Sequence, residues 1–139
     1  MATVNSTTYA AQASGKMSLD AGIANVAIKA ISTTYEANAL SANDVINLFV
    51  LPKGAVVMDL IVAFDDLGTG TSLDVGDSND VDRYIDGADT ATSAGTARMS
   101  LADGFGYRIG TNAGDNVIQA KNLGGAATGT IKAVCFYAL

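Results

Sequence analysis

Hydrophobic and polar positions alternate most regularly between Ala55 and Phe64. Val56, Met58, Leu60, Val62 and Phe64 occupy one set of positions, and Ala55, Val57, Asp59, Ile61 and Ala63 the other. A sustained period of two predicts a β-strand, because successive side chains leave opposite faces of a sheet. The strand is introduced by Leu51-Pro52-Lys53-Gly54, where proline presets one turn angle and glycine relieves another. After Asp65-Asp66, the glycines of Gly68-Thr69-Gly70 allow a reversal into a second strand, Thr71 to Val75. The pair is expected to form a hairpin.

The same reading divides the rest of the chain into short strands. Asn25 to Tyr35 is apolar on both faces and is expected well inside a sheet, followed by a loop over Glu36 to Asn43. Asp44 to Leu51 reads as a short buried strand, and Arg83 to Gly87 as a short strand or turn. Thr96–Leu101 and Phe105–Ile109 flank Asp103-Gly104, a strong local signal for a second hairpin. Asp115 to Lys121 is short and alternating. Thr130 to Leu139 closes the chain with a run apolar on both faces, expected to be central or covered by a neighbouring chain. Eight or nine strands at this spacing predict an all-β sandwich of the jelly-roll type. Residues 1–22 are small and polar and are expected to form an extended N-terminal arm. Tyr9, Met17 and Leu19 are its anchors, and residues 23–139 form the sandwich domain.

Composition refines this picture. Fifteen glycines against one proline suit many turns between short strands. The net charge is −6, and nine of the fourteen acidic residues lie between Asp59 and Asp89, where Arg83 is the only basic one. Such a surface repels phosphate, which disfavours nucleic acid as a partner. No apolar stretch reaches the roughly twenty residues that a membrane helix requires, and the N-terminus lacks the basic and apolar regions of a signal peptide. Synthesis in a cytoplasm without conventional export is therefore expected.

Candidate chemistry is sparse. Cys135, the one cysteine, lies in the apolar closing strand, and the chain has no histidine to activate it. The loop Asp74–Asp82 is rich in carboxylates, as calcium sites are, but the spacing fails. Counting from Asp74, the twelfth position is Ile85, where an EF-hand requires glutamate. Asx turns with Arg83 pairing one carboxylate are the simpler account. Gly68-Thr69-Gly70 leads into a strand and not a helix, so it makes no phosphate cradle. Neither a cofactor, a metal nor a catalytic residue is expected, and an enzyme is not.

The segment Leu51–Asp89, LPKGAVVMDLIVAFDDLGTGTSLDVGDSNDVDRYIDGAD, resembles a family of small structural proteins of tailed bacteriophages. GFGYRIG from Gly104 and the closing GGAATGTIKAVCFYAL add weaker likeness. Within that family the chain is most similar to capsid decoration (cement) proteins. The resemblance implies a virion component on the outer surface of the capsid, binding the major capsid protein and itself, as a homotrimer. It supplies no catalytic residues. Ala27, Ile31 and Thr33, on a small-residue strand face, are candidates for the subunit contact, beside the arm anchors Tyr9, Met17 and Leu19. The alternative is a head-fibre or tail-associated module touching host-surface glycan. The absence of tryptophan weighs against it, while five tyrosines keep it open.

Overall fold

A computed structural model describes residues 27–139 and contains eight strands there. They are β1 (Ile28–Leu40), β2 (Val45–Val50), β3 (Val56–Phe64), β4 (Thr71–Gly76), β5 (Ile85–Asp89), β6 (Gly95–Arg98), β7 (Val117–Gly124) and β8 (Ala127–Ala138). The first sheet has the order β1-β8-β3-β6 and the second β2-β7-β4-β5, with every pairing antiparallel. Outer strands pair with outer and inner with inner: β1 with β8, β2 with β7, β3 with β6, β4 with β5. This is one long antiparallel ribbon rolled up on itself, the jelly roll expected from the sequence. The arm and its anchors Tyr9, Met17 and Leu19 lie outside the described residues.

Closure of the roll puts alternate side chains of both sheets into one core. The first sheet contributes Leu60, Val62, Ile131, Ala133 and Cys135, and the second Ile46, Leu73, Val75, Ile118 and Ala120. Cys135 is fully enclosed, and burial pushes its thiol up to about 12, so it packs as a small apolar side chain. Gly124 has φ +79°, and a Cβ there would collide with the Gly70 carbonyl, which ties the end of β7 to the start of β4.

Several local expectations are corrected. β3 and β4 do not form a hairpin, because they lie in different sheets and the Gly68–Gly70 reversal carries the chain across the sandwich. Asp103-Gly104 does not close a hairpin either: β6 pairs with β3, and residues 102–106 form turns. β1 sits at an edge of its sheet and not inside it, and the strand runs through Glu36 to Leu40, where a loop was expected. Its many small residues gave both faces an apolar look without requiring enclosure. The alternation in β3 shifts once. The register with β8 slips between Val57 and Asp59, so Val57 and Leu60 both point inward and Met58 is thrust out, 39% exposed.

Candidate assembly surface

The outer face of the first sheet is assembled from alternate residues of β1, β8 and β3. Register places Ile28 opposite Ala138, Ala30 opposite Phe136 and Ser32 opposite Val134, with Val134 in turn opposite Ile61 of β3. Ala63 and the displaced Met58 extend this surface. Ile28 is 66% exposed, Phe136 37% and Leu139 49%. Phe105, 70% exposed, lies next to the bulge in β3, because the Gly106 N–H donates to the Val57 carbonyl at 2.9 Å. Of the nine large apolar side chains exposed among the described residues, Ile28, Met58 and Phe136 lie on this face and Leu139 and Phe105 lie beside its end. Scattered exposed apolar residues are ordinary; a contiguous group of them marks a contact surface.

Charge on this face is compensated. Asp59 and Arg98 bridge β3 and β6 through two hydrogen bonds of 2.6 and 3.0 Å. The Glu36 carboxylate accepts from the Thr130 hydroxyl at 2.6 Å, and Lys132 has no ion-pair partner among the described residues. A shallow depression of about 220 Å³ lies between Ser32, Thr34, Ile61, Ala63, Lys132 and Val134. The arrangement can bury apolar area against a flat partner.

Of the sequence candidates, one lies at the start of β1 and two on its inward side. Ala27 is exposed at the mouth of β1, its carbonyl accepting from Leu139 N–H at 3.3 Å. Ile31 and Thr33 point inward opposite Cys135 and Ala133, and both remain only partly covered. Sequence reasoning did not single out Met58, Phe105, Phe136 or Ile28. The two-faced apolar pattern of Thr130–Leu139 was the one available signal, and it applies to Phe136.

The acidic loop is a folded turn and not an open cage. One Asp77 oxygen accepts the N–H groups of Asn79 (2.8 Å) and Asp80 (3.2 Å), and the other accepts Arg83 Nε at 2.7 Å. This is the Asx-turn arrangement that the sequence suggested. Burial works against the charge of Arg83, but its Asp77 and Asp80 partners outweigh that and hold its pKa above the ordinary value. Its guanidinium lies 4.0 Å over the Tyr107 ring, whose hydroxyl donates to Asp115 at 2.9 Å. Asp115 also accepts N–H groups from Gly110 and Asn112, which lower its pKa despite burial. Two loops are thereby stapled together. On the outer face of the second sheet, burial raises the pKa of Asp74; the Gly87 N–H lowers it, and neighbouring Asp86 and Asp82 raise it further.

No protein-family model matches the sequence, and no curated protein does. Solved structures do match. A chain of the cyanophage Pam1 capsid asymmetric unit is 23% identical with a TM-score of 0.66, over 83% of this chain and 85% of that one. A chain of the capsid of Ralstonia phage GP4 is 25% identical with a TM-score of 0.60, over 81% and 84%. A chain of the acid-stable capsid of Helicobacter pylori bacteriophage KHP30 is 18% identical with a TM-score of 0.57, over 81% and 87%. The jelly roll is thus shared, over about four fifths of this chain, with chains of three phage capsids. That likeness bears out the resemblance to phage structural proteins and supports a virion structural role.

Proposed function

We propose that this protein is a capsid decoration (cement) protein, a non-catalytic virion component that binds the outer surface of the phage head and stabilises it. The observation that carries this reading is the apolar, charge-compensated outer face of the first sheet, on a fold shared with phage capsid chains. The major capsid protein is the partner for that face, and the protein associates with itself as a trimer. A ligand that binds only the assembled lattice stabilises the lattice by mass action. Repetition over a shell lets modest individual contacts suffice. Asp86 and Asp89, on the outer face of the second sheet, lie across the sandwich from the contact, where like charge keeps decorated particles apart.

The test is binding of the purified protein, its mass first fixed by light scattering, to undecorated expanded capsids. Saturable binding as a trimer, with a raised capsid melting temperature, is the expected result. A monomer that ignores capsids would sink the reading. The head-fibre or tail alternative draws on a polar recess of about 360 Å³ lined by Lys53, Thr111, Asn112, Asp115 and Asn116. No aromatic side chain lines that recess, so a sugar ring would have no stacking surface there. Binding to a glycan array by a protein inert toward capsids would favour this alternative.

A further inference from the structure

β1 is a long edge strand that lacks most of the usual protection against pairing. It spans 13 residues and, among the described residues, is hydrogen-bonded to β8 on one side only. Natural edges are blunted by proline, charge, shortness or a bulge. Here the bulge is confined to Ala37–Leu40 and the charges to Lys29 and Glu36. Between them Ala30-Ile31-Ser32-Thr33-Thr34-Tyr35 has no charge and no proline. The core beneath this edge is also incompletely covered. Tyr35 lies opposite the buried Ile131 and so points inward, yet it is 36% exposed, and Ile31 and Thr33 are only partly buried. A further strand beside β1, with apolar residues on its inner face, would satisfy the free backbone groups and close this rim.

We propose that the segment Lys16–Asp20 of a second copy of the chain occupies that edge as a fifth strand of the first sheet. Its pattern fits: Met17 and Leu19 alternate with Lys16, Ser18 and Asp20, so a strand there has one apolar and one polar face. With Met17 and Leu19 turned inward, they meet Ile31, Thr33 and Tyr35. Main-chain bonds supply affinity and the two apolar side chains supply register. The length of chain outside the structure favours a neighbour's edge. Asp20 lies seven residues before Ala27, so the segment can sit up to roughly 23 Å from the start of β1 at about 3.3 Å per residue, within reach of a copy packed beside it. A fold-back onto its own β1 would require the chain to reverse within residues 21–29. The sequence there, Asp20-Ala21-Gly22-Ile23-Ala24-Asn25-Val26-Ala27, has neither Asn-Gly nor Asp-Gly.

This inference rests on the reading of the protein as self-associating, and its test needs no capsid. In full-length protein, the edge amides of β1 between Ala30 and Tyr35 are expected to exchange slowly with deuterated solvent. In a full-length M17D/L19D variant they are expected to exchange on the order of tenfold faster or more, while β8 amides are unchanged. Equal exchange in the two proteins overturns the proposal. A lysine cross-linker applied to a mixture of light and heavy-isotope chains then identifies the donor. Lys16–Lys29 links of mixed isotope are expected; links only within one chain overturn the exchange between copies. If the arm pairs as expected but capsids are not bound, the decoration reading fails and this inference stands.

Discussion

The two outer faces of the sandwich are built from the same kind of strand and have different surfaces. The first sheet presents Ile28, Met58, Phe136 and Leu139, with its one bridging ion pair, Asp59–Arg98, compensated. The second presents Asp86 and Asp89, with Asp74 buried beside Lys121 and with Val45 and Val50 exposed at its β2 margin. The acidic side owes its composition to turns. Of fourteen acidic residues thirteen are aspartate, whose short side chain reaches nearby backbone N–H groups as glutamate does not. Asp44, Asp66, Asp77, Asp89 and Asp115 each accept an N–H two to five residues away. Negative charge is thus partly a consequence of how the loops fold. The apolar face has no such internal use, which is why it points to a partner.

The largest expected effect comes from charging one face and then the other. Phe136→Asp places an uncompensated carboxylate in the middle of the apolar face. Capsid affinity should fall at least about 100-fold, roughly 2.7 kcal/mol, because burial would then desolvate a lone charge. Val45→Asp, a similar change on the second sheet, should alter affinity less than about threefold. Sedimentation of capsids with bound protein measures both. Equal losses for the two variants would show that the faces do not differ in role.

The two ion pairs sharpen the contrast from the side of stability. Arg83→Met leaves the wholly buried Asp77 carboxylate without its cation and also removes the contact over Tyr107. Breaking a buried pair in this way costs about 3–5 kcal/mol, which should appear as a clear drop in the urea midpoint. Arg98→Met breaks a shorter contact, but the Arg98 side chain is 71% exposed, and no measurable shift in midpoint is expected. A comparable loss for both would mean that the exposed bridge contributes far more than its setting implies.

The same contrast shows what a sequence can carry. Strand positions were legible wherever a period of two held, as in β3, and the Asp77 turn was legible because Asx chemistry is local. Partner choice between strands was not. The Gly68–Gly70 reversal looks the same whether the next strand lies beside β3 or across the sandwich, and only non-local packing of Leu73 and Val75 decides it. β1 misled for a related reason: Ala, Ser and Thr tolerate both enclosure and solvent, so its edge position left no mark. The assembly face was half legible. Phe136 lay in a run apolar on both sides, whereas Met58 reached the surface through a one-residue register slip that no alternation pattern shows.

Acid should separate the two regions by the sign of a smaller effect. The folded-state pKa of Asp115 lies below its ordinary 3.8, so its stabilisation is complete above that value and is lost as pH falls through the lower folded one. Asp74 behaves oppositely. Its folded-state pKa is raised, so the native state holds the extra proton just above pH 3.8, and acidification through that window stabilises the fold. Stability measured by urea unfolding should therefore rise slightly on approach to pH 4 and then decline. Asp74→Asn removes the charge while leaving an oxygen for the Gly87 N–H, which Asp74 binds at 2.8 Å. It should reduce the rise, leaving the part due to Asp80, whose hydrogen bond with Asp82 also raises its pKa, and leave stability at pH 7 equal or higher, by about 1 kcal/mol at most. A variant that is less stable at pH 7 would show that this carboxylate, like those in the turns, is held for its bonds and not merely tolerated beside Asp86 and Asp82.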